Sequence, residues 1–146
     1  MKRISAAIGC ALVIGGTAAT LGNVRTASAT FTGYCMYRVY ADPPSQMMGP
    51  YAKNWPIRYS GGGRCDYAAG GSVQTCLQRS SWSGWREVGC KTGYIDFAHP
   101  EVRNTGVGSC LHGTYTYRVW SSISISTPNG DAGDFALSAE RRWTCP

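Results

Sequence analysis

The chain is poor in the side chains that move protons. It has two histidines, His99 and His112, and eight acids against fourteen lysines and arginines. No Gly-x-Ser-x-Gly elbow, no Ser-x-x-Lys and no His-Glu-x-x-His occurs. A hydrolytic triad needs a nucleophile, a base and an orienting acid, and a glycosidase needs two carboxylates across a cleft. For the latter Asp66, Asp96, Glu101, Asp131 and Asp134 are merely available. Asp96, His99 and Glu101 sit close together, but on a Pro-broken stretch that reads as a solvated turn, and His112 reads as a loop residue. The chain is therefore read as non-catalytic, with no cofactor. Cys-x-x-Cys is also missing and the cysteine spacings are wide, which argues against zinc or any other metal site. After residue 29 no run approaches the roughly 20 apolar residues of a membrane-spanning helix, so no membrane insertion is expected. No Asn-x-Ser/Thr sequon and no sustained helical period is present.

What is there begins with an export signal. Lys2 and Arg3 precede a small, apolar run from Ile4 to Leu21, and Ala27-Ser28-Ala29 supplies a signal-peptidase site. Residues 1–29 are expected to be a signal peptide and 30–146 a single secreted, extracellular domain. Removing Lys2, Arg3 and Arg25 leaves eleven basic residues against eight acids, a net charge of about +3. Nine of the eleven are arginines scattered along the chain. The adjacent pair Arg141-Arg142 would point to opposite faces of a strand, so no basic stripe for nucleic acid is expected. With Cys10 gone, six cysteines remain: Cys35, Cys65, Cys76, Cys90, Cys110 and Cys145. An even set after export predicts three disulfides among 15 connectivities.

The strongest structural signal runs from Cys110 to Ser126. From Tyr115 the odd positions Tyr115, Tyr117, Val119, Ser121, Ile123 and Ile125 form a mostly apolar face. The even positions Thr116, Arg118, Trp120, Ser122 and Ser124 form a mostly polar one. This is a long strand, and Trp120 on its polar face needs cover from a loop or from a partner. Phe31–Tyr40 reads as a first strand, ended by Asp42-Pro43-Pro44. Residues 72–93 read as a hairpin. A register centred on Ser83 sets Cys76 opposite Cys90, the best single disulfide pair, and a one-residue slip sets Val88 against Leu77 instead. Residues 94–107 read as a connector. Asp134–Cys145 reads as the partner of the long strand, and centring the turn on Gly130 pairs Ile125 with Phe135 and Ile123 with Leu137. Short strands, turns and no helices predict an all-β, disulfide-stabilised antiparallel β-sandwich, with a closed barrel as the alternative.

Residues 42–64 read as an extended, Pro-rich loop or arm, with Ser60-Gly61-Gly62-Gly63 as a hinge. Met47, Met48, Tyr51 and Trp55 on this segment, with Trp82 near the hairpin turn and Trp120, are the candidate binding residues. Aromatic and Met side chains are enriched at interface centres, and the arm can either cover the core as a lid or contact a partner.

Two features carry a resemblance. Gly113-Thr114-Tyr115, entering a late strand, resembles the tyrosine corner of immunoglobulin-like sandwiches, although Tyr117 stands where those domains have cysteine. Over Val73–Cys145, through Val-Gln-Thr-Cys-Leu-Gln and Cys-x-x-Gly-Thr-Tyr, the chain resembles small secreted immunoglobulin-like proteins of bacteria. Its layout of signal peptide, extended arm and small cysteine-bonded sandwich is similar to the adaptor subunits of secreted umbrella toxin particles. Those subunits join a lectin-like subunit to a toxin-bearing core, which implies that residues 42–56 are a docking element. The expected partner is thus another secreted protein, and the function a protein-interaction module, an adaptor in a bacterial toxin complex. The alternatives are an inhibitor of an extracellular hydrolase and a carbohydrate-binding module with an aromatic platform. Titration of the denatured, unreduced secreted protein with a thiol reagent should find no free thiol, and one thiol per chain would break the three-bridge reading.

Overall fold

The computed structural model describes residues 28–31, 36–47, 55–66 and 70–146. Gly113–Thr127 forms its longest strand, β8, and the burial of β8 follows the alternation of its sequence: Tyr117, Val119, Ser121, Ile123 and Ile125 are buried. The other strands are β1 (Ser28–Phe31), β2 (Met36–Ala41), β3 (Ser45–Gln46), β4 (Ile57–Cys65), β5 (Gly71–Ser81), β6 (Gly84–Ile95), β7 (Glu101–Gly108), β9 (Gly130–Leu137) and β10 (Arg141–Cys145). Every regular element among the described residues is a strand, and all strand pairs are antiparallel.

The strands make two sheets. In the first, β4 is central, with β7 on one side and β2 and β3 on the other, and β1 pairs with β2. In the second, β8 is flanked by β5 on one side and by β9 and β10 on the other, and β6 completes it beyond β5. The chain changes sheet between β4 and β5, between β6 and β7, and between β7 and β8. The β4–β7 and β5–β8 pairs therefore interlock. Between the sheets lies one core, with Val39, Ile57 and Tyr59 from the first and Val73, Leu77, Val119, Ile123 and Ile125 from the second.

At the centre of that core the contact is polar and close. Thr75 and Ser121, both fully buried, share a hydrogen bond of 3.0 Å. Asn104 on β7 donates from Nδ2 to the Val73 carbonyl at 2.9 Å and approaches Thr75 Oγ1 at 3.4 Å, tying the two sheets together. Gly61 of β4 lies directly over this pair. A Cβ there would fall on Ser121 Oγ and within 3.0 Å of Thr75 Cγ2.

Several expectations change here. Residues 57–64 are not the end of an arm: they are the central strand of a sheet, and Gly61, Gly62 and Gly63 are buried in it rather than forming a hinge. Those glycines are a packing requirement. The expected first strand is a hairpin of β1 and β2, with Thr30 opposite Tyr37. β1 reaches back to Ser28, so a chain cut after Ala29 keeps Thr30 and Phe31 of it. The expected connector holds a full strand, β7. Its inward positions are Val102, Asn104, Gly106 and Gly108, too few large apolar residues to show the alternation. The expected last strand is two, interrupted at residues 138–140, where Ser138 accepts the Val119 N–H on its own Oγ at 2.8 Å. Its register also differs. The tight turn at Pro128-Asn129 sets Thr127 opposite Gly130, Ile125 opposite Ala132 and Phe135 opposite Ser122. A shift of three residues reverses the faces, so Phe135 points outward and is 55% exposed.

The tyrosine that closes the corner is Tyr117, not Tyr115. Its buried phenol oxygen accepts the Leu111 N–H at 3.3 Å. Cys110 and Cys145 are bridged beside it, Cys76 and Cys90 are bridged across β5 and β6, and Cys65 is disulfide-bonded to a partner outside the described residues.

Two measurements test this packing. Tyr117→Phe should cost about 1 kcal/mol or more in urea unfolding, because the Leu111 N–H loses its acceptor; an unchanged midpoint would remove the corner as a stabilising feature. Gly61→Ala should cost about 1–3 kcal/mol by overpacking, and a neutral result would mean that the sheets can separate locally at no cost.

Candidate binding surface

One end of the sandwich gathers bulky groups from separate loops. The start of β4 meets the end of β7 (Ile57 opposite Gly108), and the end of β5 meets the start of β8 (Arg79 opposite Tyr117). The chain from β7 to β8 passes Leu111 at this end, where Gln46 Nε2 lies 3.8 Å from Cys110 Sγ. Met47 and Trp55, which flank the undescribed residues 48–54, and the β5–β6 turn therefore lie at the same pole.

The β5–β6 turn is built to hold a side chain in water. Ser81 and Gly84 pair around Trp82-Ser83. Ser81 Oγ donates to the Gly84 carbonyl at 2.7 Å, and Gly84 takes φ 111°, a left-handed conformation that favours glycine. The β8–β9 turn repeats the device, with Thr127 Oγ1 donating to the Gly130 carbonyl at 2.5 Å and Gly130 at φ 111°. The result at the first turn is a tryptophan, Trp82, that is 96% exposed on a closed hairpin. Below it Cys76 and Cys90 face each other with Cα atoms 4.1 Å apart.

The hairpin uses both registers that its sequence allows. From the turn to Gln78 opposite Glu87 it follows one, and a bulge at Val88 shifts it by one residue so that Leu77 faces Gly89 and Cys76 faces Cys90. Val88 turns against the core while Glu87 stays exposed.

Around the hairpin lies a group of arginines. The Arg118 guanidinium stacks over the Trp85 ring at 4.0 Å, and its Nε donates to Gln78 Oε1 at 2.9 Å. Burial lowers its pKa from the ordinary arginine value, with Glu140 opposing that shift. Arg79 stacks over Tyr115 at 4.7 Å, with its Nε buried and unbonded.

Of the six candidate binding residues, the structure brings Met47, Trp55 and Trp82 to this pole. The Met47 N–H donates to the Pro56 carbonyl at 2.9 Å, closing the base of the segment that contains Met48 and Tyr51, which lie outside the described residues. Trp55 is partly exposed and holds φ 44°, a left-handed conformation that strains a bulky side chain. Trp120 stands apart, half-buried on the outer face of the second sheet between Cys76 on β5 and Leu137 on β9. The rest of the extended segment, on which a rigid inhibitory loop would rest, falls within the undescribed residues 48–54.

The acid–histidine cluster is a turn. His99 N–H donates to Asp96 Oδ1 at 2.6 Å, and Asp96 N–H donates to the His99 carbonyl at 3.2 Å. The backbone N–H of His99 holds the exposed Asp96 carboxyl below its ordinary pKa. Glu101 faces away to Arg64, at 3.7 Å. Cys76, Cys90 and Glu87 bring potential metal-ligand atoms together, but the two sulfurs are joined to each other and are not thiolates. On the other sheet a shallow groove of about 370 Å³ is lined by Arg58, Thr105, Gly106 and Val107, with no carboxylate or imidazole in its wall. Comparison with protein-family models and with curated proteins finds no match to this chain.

The sequence pattern missed the stacked pairs because their members sit on three strands, β5, β6 and β8. Arg79 and Arg86 face each other in the register that would set Val88 against Leu77, whereas the register centred on Ser83 sets Arg79 against Glu87.

Proposed function

We propose that the chain is a secreted, non-catalytic module of immunoglobulin-like type that binds another secreted protein, in the manner of an adaptor subunit of an extracellular toxin assembly. The observation that carries the reading is Trp82: a large aromatic side chain, 96% exposed, on a hairpin closed by its own turn hydrogen bond and braced by a disulfide. Exposed apolar groups of this size on a rigid support are what interface anchors look like before the partner arrives. The gathering of Met47 and Trp55 at the same pole adds to it, and disulfides suit an oxidising, extracellular compartment. The interlocked strand pairs and the Tyr117 corner favour the immunoglobulin-like assignment.

A carbohydrate-binding reading has one observation of its own. The outer face of the second sheet carries Tyr94, Trp120 and Phe135 among Gln74, Thr92 and Ser122, rings set on a polar sheet. Retention on insoluble polysaccharide, lost in Tyr94→Ala, would select it.

The deciding experiment is the native mass of the protein from culture supernatant, for wild type and for Trp82→Ala. The wild type should co-migrate with a larger secreted protein and the variant should run as a monomer. Because Trp82 buries almost nothing, the variant's stability should stay within about 0.5 kcal/mol of wild type. A wild type that runs alone would overturn the proposal.

A further inference from the structure

The hairpin of β5 and β6 sets two guanidinium groups side by side. Arg79 and Arg86 are directly opposite each other in the register, so both side chains leave the same face of the sheet, the one that carries Thr75 and Leu77. Along β5 that face passes from core to solvent. Thr75 and Leu77 are fully buried, whereas Arg79 is partly exposed and Arg86 is exposed. The pair thus sits where the inner face emerges from between the sheets. Its Cβ atoms are about 5 Å apart, as for any directly opposed pair in an antiparallel ladder. Arg118 and Arg142 lie on the opposite face and take no part.

Two like charges in this position repel each other, and the chain supplies no carboxylate to offset them. All eight acids of the sequence lie within the described residues, and the undescribed stretches contain none. Among the described residues the ion pairs join Arg64 to Asp66 and Glu101, Arg103 to Asp42 and His99 to Asp96. Glu87, the acid nearest in sequence, is opposite Gln78 and belongs to the other face. Arg79 stacks on Tyr115, but its Nε, shielded from water, has no hydrogen-bond partner. Arg86 has one long contact, Nη2 to Ser83 Oγ at 3.4 Å. A shielded N–H without an acceptor is costly, and here it stands beside a second cation with donors to spare.

We propose that Arg79 and Arg86 form a clamp for one carboxylate, an aspartate or glutamate side chain of the partner protein. The proposal rests on the protein-interaction reading above and names the group that the partner supplies. Guanidinium donors from two strands can hold one carboxylate from both sides through charge-assisted hydrogen bonds. The same face limits the ligand to a single acid. The next cation along it, Arg141, lies two inter-strand spacings from Arg79, about 10 Å, with the buried Tyr117 between them. A nucleic acid or a sulfated glycan carries charge along its whole length and would find no continuation here. Leu111, 45% exposed and tied through its N–H to the Tyr117 phenol, places an apolar residue close by. The ligand is therefore an isolated acid in an apolar stretch, with Trp82 at the hairpin tip within about three residues of extended chain.

The test is an NMR titration of the isotope-labelled secreted protein with two end-blocked peptides, Leu-Glu-Leu and Leu-Gln-Leu. The Arg79 and Arg86 Nε–H resonances should shift saturably with the glutamate peptide, less as salt is raised, and stay in place with the glutamine peptide. Arg86→Gln should weaken binding about tenfold or more. Its unfolding midpoint should equal or exceed that of wild type, because the substitution removes the repulsion. Arg86→Lys, which keeps the charge and loses the planar fork, should bind with intermediate strength and gives the readout should Arg86→Gln fail to fold. No saturable shift, an equal shift with the glutamine peptide, or equal binding by Arg86→Gln overturns the proposal. So does tighter binding of inorganic phosphate or of a heparin oligosaccharide at these resonances, which would give the clamp to another anion. Native mass separates the two claims. If wild type and Arg86→Gln both co-migrate with the larger protein, the clamp falls and the interaction reading stands. If wild type runs alone, the interaction reading falls and takes this proposal with it.

Discussion

The close approach of β4 to β5 and β8 governs the rest of the fold. A strand carrying three consecutive glycines lies over two buried hydroxyls, Thr75 and Ser121, which satisfy each other. Asn104 reaches into the same place from the neighbouring strand and takes up the Val73 carbonyl. Each polar group would be costly to bury alone. Thr75 and Ser121 pair within one sheet, whereas Asn104 comes from the other, and its bond to the Val73 carbonyl together with the close seat of Gly61 ties the spacing and register of the two sheets to this place. The aliphatic residues on either side, Val39 and Ile57 facing Val73, Leu77 and Ile123, supply most of the burial, but apolar contacts tolerate sliding and hydrogen bonds do not.

From this centre the molecule becomes more constrained toward one pole. There the Cys110–Cys145 bridge, the Tyr117 phenol on the Leu111 N–H and the stacked pairs Arg118–Trp85 and Arg79–Tyr115 lie close together. Rigidity and exposure coincide at that end. A side chain offered to a partner from a braced hairpin loses little conformational freedom on binding, which is the condition under which one exposed tryptophan contributes strongly.

How much of this could be read from the sequence depended on whether the inward side chains were large. β8 was legible because five of its six odd positions from Tyr115 to Ile125 are buried and three of those five are aliphatic. β7 was not, because its inward positions hold one valine, one asparagine and two glycines. β4 was misread for a related reason: Gly61–Gly63 carry no side chain to alternate, and glycine runs read as flexible when the tight contact that requires them is out of view. Phe135 shows the opposite failure. Matching apolar residues across the last hairpin placed it in the core, but the geometry of a two-residue turn set the register and left it outside. At the candidate surface, the individual tryptophans were visible as candidates, whereas the stacked pairs Arg118–Trp85 and Arg79–Tyr115 needed the strands to be in place before they existed.

The Val88 bulge has a mechanical consequence. An extra residue in one strand of a ribbon increases the local right-handed twist, and here it sits five positions along β6 from Ser83, about 17 Å of strand from the tip. β6 is the outermost strand of its sheet, so among the described residues no further strand pairs with its outer edge to hold that rotation. The direction in which Trp82 points is therefore set from a distance, by a residue whose own side chain faces the core. Deleting Val88 would leave Cys76 opposite Cys90 and every turn hydrogen bond intact, yet it would swing the tryptophan to a new bearing, as a change at the pivot moves the end of a pointer.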